Sequence, residues 1–169
     1  MIYAIADLNA LDETAFVEIL GPIFEDTPAI ACQAWTYRPF DNFMALYQQM
    51  TSIVNHLDLE SKLSLIRAHP DLGTKAKMAE ASVQEQAGVG LDRLSLEEFT
   101  RFETLNQAYR DKFGFPFIIA VKDQTKESIL SAFETRLKND ISSEIEAAIT
   151  EISRIAELRL EAILKKEKD

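Results

Sequence analysis

The stretch SSEIEAAITEISRIAELRLEAILKK, residues 142–166, decides the fold class. Its apolar residues recur every three or four positions, which places them on one side of an α-helix. We therefore predict a long amphipathic helix from about Ser142 to Lys166. The same period puts Arg159 inside the apolar stripe, where a guanidinium needs an anion. Two interpretations stay open for Arg159: a snorkelling or buried ion-paired side chain, and a ligand-binding one. The stripe consists of Ile145, Ile149, Ile152, Ala156 and Ile163.

Helix start and stop signals recur upstream of this stretch. Capping-box spacing occurs at Ser82–Glu85 and at Ser95–Glu98. Pro70 ends the helix that begins after Asp58. These signals predict an all-α, single-domain bundle of about eight helices that covers residues 1–169. Asn9 is the predicted cap of the first helix, and Ser82 is the predicted start of another. The other predicted helices lie between these limits: Thr27–Pro28 to Tyr37, Asp41 to His56, Asp58 to Pro70, Ser95 to Gly114, and Thr125 to Asn139.

One segment, Phe113 to Val121, departs from the helical pattern. Its aromatic and β-branched content is typical of a buried extended strand, but no other part of the chain offers a partner strand. Buried backbone amides without a ladder need other hydrogen-bond partners. Two interpretations stay open: an irregular segment that crosses the core, and a backbone edge offered to a ligand.

Charge and residue content limit the classes of partner and cofactor. The 169-residue chain carries a formal charge of -10, which repels nucleic acid and anionic lipid. It shows no signal peptide or apolar span, so we expect a cytoplasmic protein that binds neither nucleic acid nor membrane.

His56, His69 and Cys32 are too few soft ligands for a tetrahedral zinc site, and phosphate-binding glycine loops are lacking. We expect no cofactor, although residue content alone leaves a carboxylate-held magnesium open. We also expect a surface position for His56 and a buried, unreactive Cys32.

His69 is the residue best placed for acid or base chemistry. It follows a predicted helix C-terminus, where the macrodipole favours imidazolium, and it precedes Pro70. A structural histidine bonded to the adjacent loop is the alternative. Glu85 has a similar ambiguity, because it can simply reach back to the Ser82 amide as part of a capping box.

Four motifs in order carry a resemblance that covers nearly the whole chain. They are RAHPDL at 67–72, SVQEQAG at 82–88, NQAY at 106–109 and KFGFPF at 112–117. With them, the chain resembles the 2-oxo-4-hydroxy-4-carboxy-5-ureidoimidazoline (OHCU) decarboxylases of urate breakdown. Further pieces of the likeness are Leu20-Gly21, Phe24-Glu25, Trp35, Arg38-Pro39-Phe40, Arg154-Ile155-Ala156 and Arg159-Leu160. The loop between Leu72 and Ser82 looks shorter than in many members.

The resemblance implies an all-α carboxy-lyase that converts OHCU to (S)-allantoin. It also makes a homodimer a candidate assembly. Catalysis would involve His69 and Glu85, and the run from Phe115 to Ile119 would supply backbone contacts to the substrate. The residues it assigns to substrate binding are Pro70, Ser82, Gln86, Phe117, Ile119 and Arg159.

Two rival functions fit the same residues. A non-catalytic helical module could bind ureides without turning them over. An amidohydrolase acting on an allantoin-like ureide would need an activated water, which the lack of metal ligands disfavours.

Overall fold

A computed structural model describes residues 2–73 and 80–165 of the chain. These residues contain nine α-helices, a short 3-10 turn at Gly21–Phe24 and one isolated parallel bridge, Tyr3 to Leu164, with no sheet. The predicted all-α class is confirmed. None of the helices described there is both long and apolar enough to cross a membrane. The helices are α1 (Ile5–Asn9), α2 (Glu13–Leu20), α3 (Ala29–Trp35), α4 (Phe43–Asn55), α5 (Leu59–Ala68), α6 (Glu80–Gly88), α7 (Leu96–Phe113), α8 (Lys126–Arg136) and α9 (Ile141–Ile163).

Side-chain caps set several helix boundaries. The Ser95 hydroxyl accepts the Glu98 N–H while the Glu98 carboxylate accepts the Ser95 N–H, so the predicted capping box at the start of α7 is confirmed. Thr125 accepts the Ser128 N–H at the start of α8. Gly114 ends α7 with φ +77°, a left-handed conformation that glycine adopts without strain.

The predicted cap at Asn9 is wrong. Asn9 is the last residue of α1, and α2 begins after Asp12, whose carboxylate accepts the Ala15 N–H at 2.9 Å. The Asn9 amide instead binds the backbone of Phe40: its Nδ2 donates to the Phe40 carbonyl at 2.8 Å, and its Oδ1 accepts the Phe40 N–H at 2.9 Å. A local pattern could not reveal this partner, because it lies 31 residues away.

The chain divides into two compact units, and each is described by itself. Unit 1 comprises Met1–Leu65 and Ser153–Asp169. In its core α2, α3 and α4 pack in succession, and Phe16 stacks against Phe40 with ring centroids 6.5 Å apart. The single-domain description stays a prediction. Unit 1 also contains the buried side chains of Leu8 in α1, of Ala156 and Leu160 in α9, and of Leu164 just after α9.

Unit 2, Ile66–Ile152, has an aromatic core. Phe117 stacks on Phe133 at 3.8 Å between centroids, and Tyr109 meets the Phe117 ring edge to face at 5.3 Å. Residues 115–121 of the predicted extended segment form no strand, and Phe113 belongs to α7. The interpretation as an irregular segment crossing the core therefore describes what is observed, since nearly all of these side chains are buried.

The expectation of a buried Cys32 is wrong. Its side chain is only partly buried, and its Sγ donates to the Glu13 carboxylate at 2.9 Å. That hydrogen bond raises the pKa of the Cys32 thiol, which disfavours the reactive thiolate. His56 is exposed at the end of α4, as predicted.

Candidate active site

His69 occupies the first position after α5. The buried residues Leu65 and Ile66 anchor the end of this helix, and the His69 N–H donates to the Ile66 carbonyl at 3.2 Å. The imidazole is 5% exposed, so it is buried where the carbonyl end of the helix dipole favours positive charge. Pro70 follows and is half-buried. A buried histidine at this position is suited to proton transfer in a site sheltered from water.

Side chains from α6 and α7 hold the three residues after Pro70. The Gln86 Oε1 accepts the Gly73 N–H at 2.9 Å, and its Nε2 donates to the Asp71 carbonyl at 3.4 Å. The Asn106 Nδ2 donates to the Leu72 carbonyl at 2.8 Å. These contacts fix the backbone next to His69. The structure thus places the predicted residues His69 and Gln86 on neighbouring elements of unit 2.

A small polar cavity lies beside this loop on the α7 side. Its volume is about 180 Å³. The Arg110 Nε donates to both carboxylate oxygens of Asp71 at 2.9 Å along its wall. The cavity is lined by Asp71, Leu72, Gly73, Phe99, Glu103, Asn106, Gln107 and Arg110.

Helix α6 carries three predicted site residues. Ser82 and Gln86 are buried and Glu85 is half-buried. The interpretation of Ser82–Glu85 as a capping box is wrong, because α6 already includes Glu80 and Ser82 therefore lies inside the helix. Residues three and four positions apart share a helix face, so Ser82, Glu85 and Gln86 point to one side of α6. The predicted short loop between Leu72 and Ser82 lies mostly outside the described residues.

The segment after Gly114 is held by side chains rather than by a strand. The Arg136 Nη1 donates to the Ile118 carbonyl at 2.5 Å, and the Ala120 N–H donates to the Glu151 carboxylate at 2.7 Å. The Phe117 ring is 1% exposed and belongs to the core, whereas Ile119 is half-buried. Contact of the Phe117 and Ile119 backbone with a ligand stays a prediction.

Arg159 forms a buried ion pair within unit 1. Its Nη2 lies 2.9 Å from the Glu25 carboxylate, and both side chains are less than 10% exposed. Its Nη1 also donates to the carbonyls of Pro22 and Ile23, at 3.3 and 3.4 Å. The ion-pair interpretation of Arg159 is therefore observed, and its contact with substrate stays a prediction. Glu25 belongs to the Phe24-Glu25 motif, but local pattern alone does not identify it as the anion that meets Arg159.

A second buried carboxylate, Glu144, was missed at the sequence level. Glu144 is fully buried, accepts the Tyr109 hydroxyl and the Asn139 amide, and pairs with Arg136. Burial and the hydrogen bond to Glu144 raise the pKa of the Tyr109 hydroxyl. The buried face at the start of α9 runs through Glu144, Ala148 and Ile152, whereas Ile145 is only half-buried. No sequence signal pointed to Glu144, because the predicted stripe ran through Ile145 and Ile149 rather than through Glu144 and Ala148.

Within residues 2–73 and 80–165, no group of three or more histidine, cysteine, aspartate or glutamate side chains could hold a metal ion.

Comparison with known proteins gives concordant matches. A family model described as OHCU decarboxylase matches residues 9–161. The chain is 43% identical to a 2-oxo-4-hydroxy-4-carboxy-5-ureidoimidazoline decarboxylase of Halalkalicoccus jeotgali, over 94% of this chain and 90% of that protein.

The structure is similar to that of an (S)-allantoin synthase, with a TM-score of 0.79 and 29% identity over 96% of this chain. It spans only 54% of that synthase chain. It is also similar to an OHCU decarboxylase crystallised in the presence of (S)-allantoin, with a TM-score of 0.68 and 27% identity. That match covers 82% of this chain and 92% of the other.

Proposed function

We propose that this chain, which belongs to the OHCU decarboxylase family, converts OHCU to (S)-allantoin with release of carbon dioxide, as a step of urate degradation. The observation that carries the proposal is the position of His69, buried at the end of α5 beside a loop whose backbone Gln86 fixes. A proton-transfer group held in this way meets the need of the reaction, which is to add one proton to one face of a ring.

The chemistry of the substrate explains what the protein must do. The bond to the departing carboxylate breaks at the ring carbon that also carries the hydroxyl. Its electron pair moves toward the adjacent carbon-nitrogen double bond, whose nitrogen takes up a proton. The resulting enol loses its hydroxyl proton and gains a proton at the carbon that bears the ureido group. Because the substrate carries its own electron sink, we propose that the reaction needs neither a metal nor an organic cofactor.

Within unit 2 the roles follow from residue type and burial. His69 would manage the proton at the hydroxyl and carboxylate, and delivery to one face would fix the S configuration. Glu85 would accept ureido or ring N–H groups, since a carboxylate is a strong double acceptor. Gln86 would act mainly by holding the loop of Asp71 and Gly73, and its contact with substrate stays a prediction.

The remaining assigned residues would bind without taking part in proton transfer. Pro70 and Ser82 would line the site, and the backbone of Phe117 and Ile119 would donate to or accept from the planar ureide. Arg159 would anchor a substrate oxygen. We also propose a cytoplasmic location, binding to neither nucleic acid nor membrane, and homodimer formation.

The decisive experiment mixes the protein with freshly generated OHCU and follows optically active allantoin by circular dichroism against the racemic background. It is run before and after exhaustive dialysis against EDTA. We expect rapid formation of (S)-allantoin in both samples. Loss of activity that a divalent ion restores would refute the cofactor-free mechanism.

The same assay separates the rival functions. Binding of (S)-allantoin without faster conversion of OHCU would favour a ureide-binding module. Ring opening of added allantoin would favour an amidohydrolase.

A further inference from the structure

Arg136 makes contacts of three kinds in the interior of unit 2. Its Nε donates to the Glu144 carboxylate at 2.9 Å, its Nη1 donates to the Ile118 carbonyl at 2.5 Å, and its Cζ lies 4.5 Å from the centre of the Phe117 ring. The Arg136 side chain is 13% exposed and that of Glu144 is fully buried. The guanidinium therefore joins a buried anion to the segment that we propose contacts the substrate.

Glu144 is in turn held by α7 and by the end of α8. The Tyr109 hydroxyl donates to one carboxylate oxygen, and the Asn139 Nδ2 donates to the other at 2.8 Å. A buried carboxylate with this many donors is fixed in place, and it fixes the arginine opposite.

The backbone groups that are held lie two residues apart. Arg136 binds the Ile118 carbonyl, and the Glu151 carboxylate of α9 accepts the Ala120 N–H. In an extended chain, groups at residues two apart share one edge and the residues between them face the other edge. The described residues provide no hydrogen bond to the backbone of Phe117 or Ile119.

We propose that Arg136, which Glu144 holds in place, is a positioning residue for the backbone of residues 117–120. It holds the backbone edge that carries the Ile118 carbonyl, so that the opposite backbone edge, at Phe117 and Ile119, faces the planar ureide. Glu151 supports the same edge at Ala120. The inference rests on the proposed function, because that function assigns substrate contacts to Phe117 and Ile119. Lysine cannot replace arginine here, since a single ammonium cannot bind Glu144 and the Ile118 carbonyl and also cover the Phe117 ring.

The test is Arg136→Lys, which keeps a positive charge beside Glu144. We expect the KM for OHCU and the Kd for (S)-allantoin each to rise by about tenfold or more, with kcat per folded molecule changing by less than about threefold. Hydrogen exchange of the residue 117–120 amides should become faster. Glu151→Gln should act in the same direction but more weakly, because an amide oxygen can still accept the Ala120 N–H.

Arg101→Lys is the matched control, since Arg101 pairs with Glu134 at an exposed position of the same unit and should leave KM and Kd unchanged. If Arg136→Lys lowers the melting temperature but leaves KM, Kd and exchange at residues 117–120 unchanged, Arg136 only packs the core and the inference is wrong. If the wild type neither turns over OHCU nor binds (S)-allantoin, the proposed function itself fails, and the inference fails with it. Should Arg136→Lys not fold, the same readouts on Glu151→Ala decide, because alanine removes the acceptor of the Ala120 N–H, and unchanged values there refute the inference.

Discussion

Within residues 2–73 and 80–165, Arg159 pairs with Glu25 and Arg136 pairs with Glu144 in buried positions. Each guanidinium also binds backbone carbonyls. Such pairs cost desolvation and are weak evidence for stability, but removing one partner leaves an uncompensated charge. A conservative substitution is therefore the informative kind at these sites.

Replacing His69 with glutamine should remove catalysis while keeping a polar side chain of similar size. A positioned acid or base contributes about 10² to 10⁴ in rate, or roughly 3 to 5 kcal/mol of barrier, and we expect kcat/KM to fall by that range. Steady-state assays with OHCU measure it, and circular dichroism checks the fold. His56→Gln is the control, because His56 is the other histidine and is exposed. Near wild-type turnover by folded His69→Gln would make His69 structural.

Arg159→Lys separates the two interpretations of that residue. Lysine can keep the charge beside Glu25, but it lacks the planar fork that also reaches the Pro22 and Ile23 carbonyls. If Arg159 anchors substrate, KM should rise by about tenfold, or roughly 1.4 kcal/mol, beyond any fall in melting temperature. Glu25→Gln serves as the stability reference. A lower melting temperature with an unchanged KM would leave Arg159 with the ion pair alone.

At the scale of elements, helix prediction succeeded where the signal was complete within a few residues. The Ser95–Glu98 box and Gly114 mark both ends of α7, and Pro70 follows the end of α5. It failed where a residue with capping propensity does not cap the predicted helix: Asn9 binds the backbone of Phe40, and Ser82 lies inside α6. Capping side chains signal a local hydrogen bond, and tertiary partners can take that bond instead.

Gly73→Ala tests the loop that joins α5 to α6. Gly73 has φ +67°, so backbone strain opposes alanine, and a Cβ there would lie 2.8 Å from the Leu94 Cδ1, so the end of that side chain would have to move. We expect a loss of roughly 1–3 kcal/mol of stability and a lower kcat/KM, because Gln86 fixes the Gly73 N–H next to the His69 turn. Urea unfolding and OHCU turnover measure the two effects.

Gly90→Ala is the matched control for that loop. Its φ is +81°, but the nearest atom to an added Cβ is the flexible Lys126 Cε at 3.3 Å. The Gly90→Ala substitution should lower the free energy of unfolding with little effect on turnover. Equal effects of the two substitutions on kcat/KM would show that the Gly73 loop does not position the site.

At the scale of the whole molecule, the sequence was sufficient for the all-α class, and the site roles of the motif residues of unit 2 stay predictions. His69, Ser82 and Gln86 are buried. The sequence was insufficient for the pairs Arg159–Glu25 and Arg136–Glu144, whose members lie 134 and 8 residues apart. Charge pairing in a core depends on which buried faces meet, and periodicity defines a face without defining its partner.

The stability of the fold at alkaline pH should depend on Tyr109. Burial and the hydrogen bond to Glu144 raise the pKa of its hydroxyl above the ordinary value of 10.0. The folded protein then keeps a proton that the unfolded chain releases above about pH 10. The stabilisation is complete below that pH and is lost as the pH rises toward the folded-state pKa, by at most about 1.4 kcal/mol per pH unit.

Urea unfolding of the wild type and of Tyr109→Phe between pH 8 and pH 11 tests this dependence. Phenylalanine should lower stability at pH 8 by roughly 1–3 kcal/mol, because the buried Glu144 loses a donor. Its free energy of unfolding should fall less steeply above pH 10, so that the two curves converge. Tyr37→Phe, at a residue 52% exposed, controls for general effects of removing a tyrosine. Parallel curves for wild type and Tyr109→Phe would mean that Tyr109 ionises alike in both states, so the pKa of its hydroxyl would not be raised by Glu144 and burial.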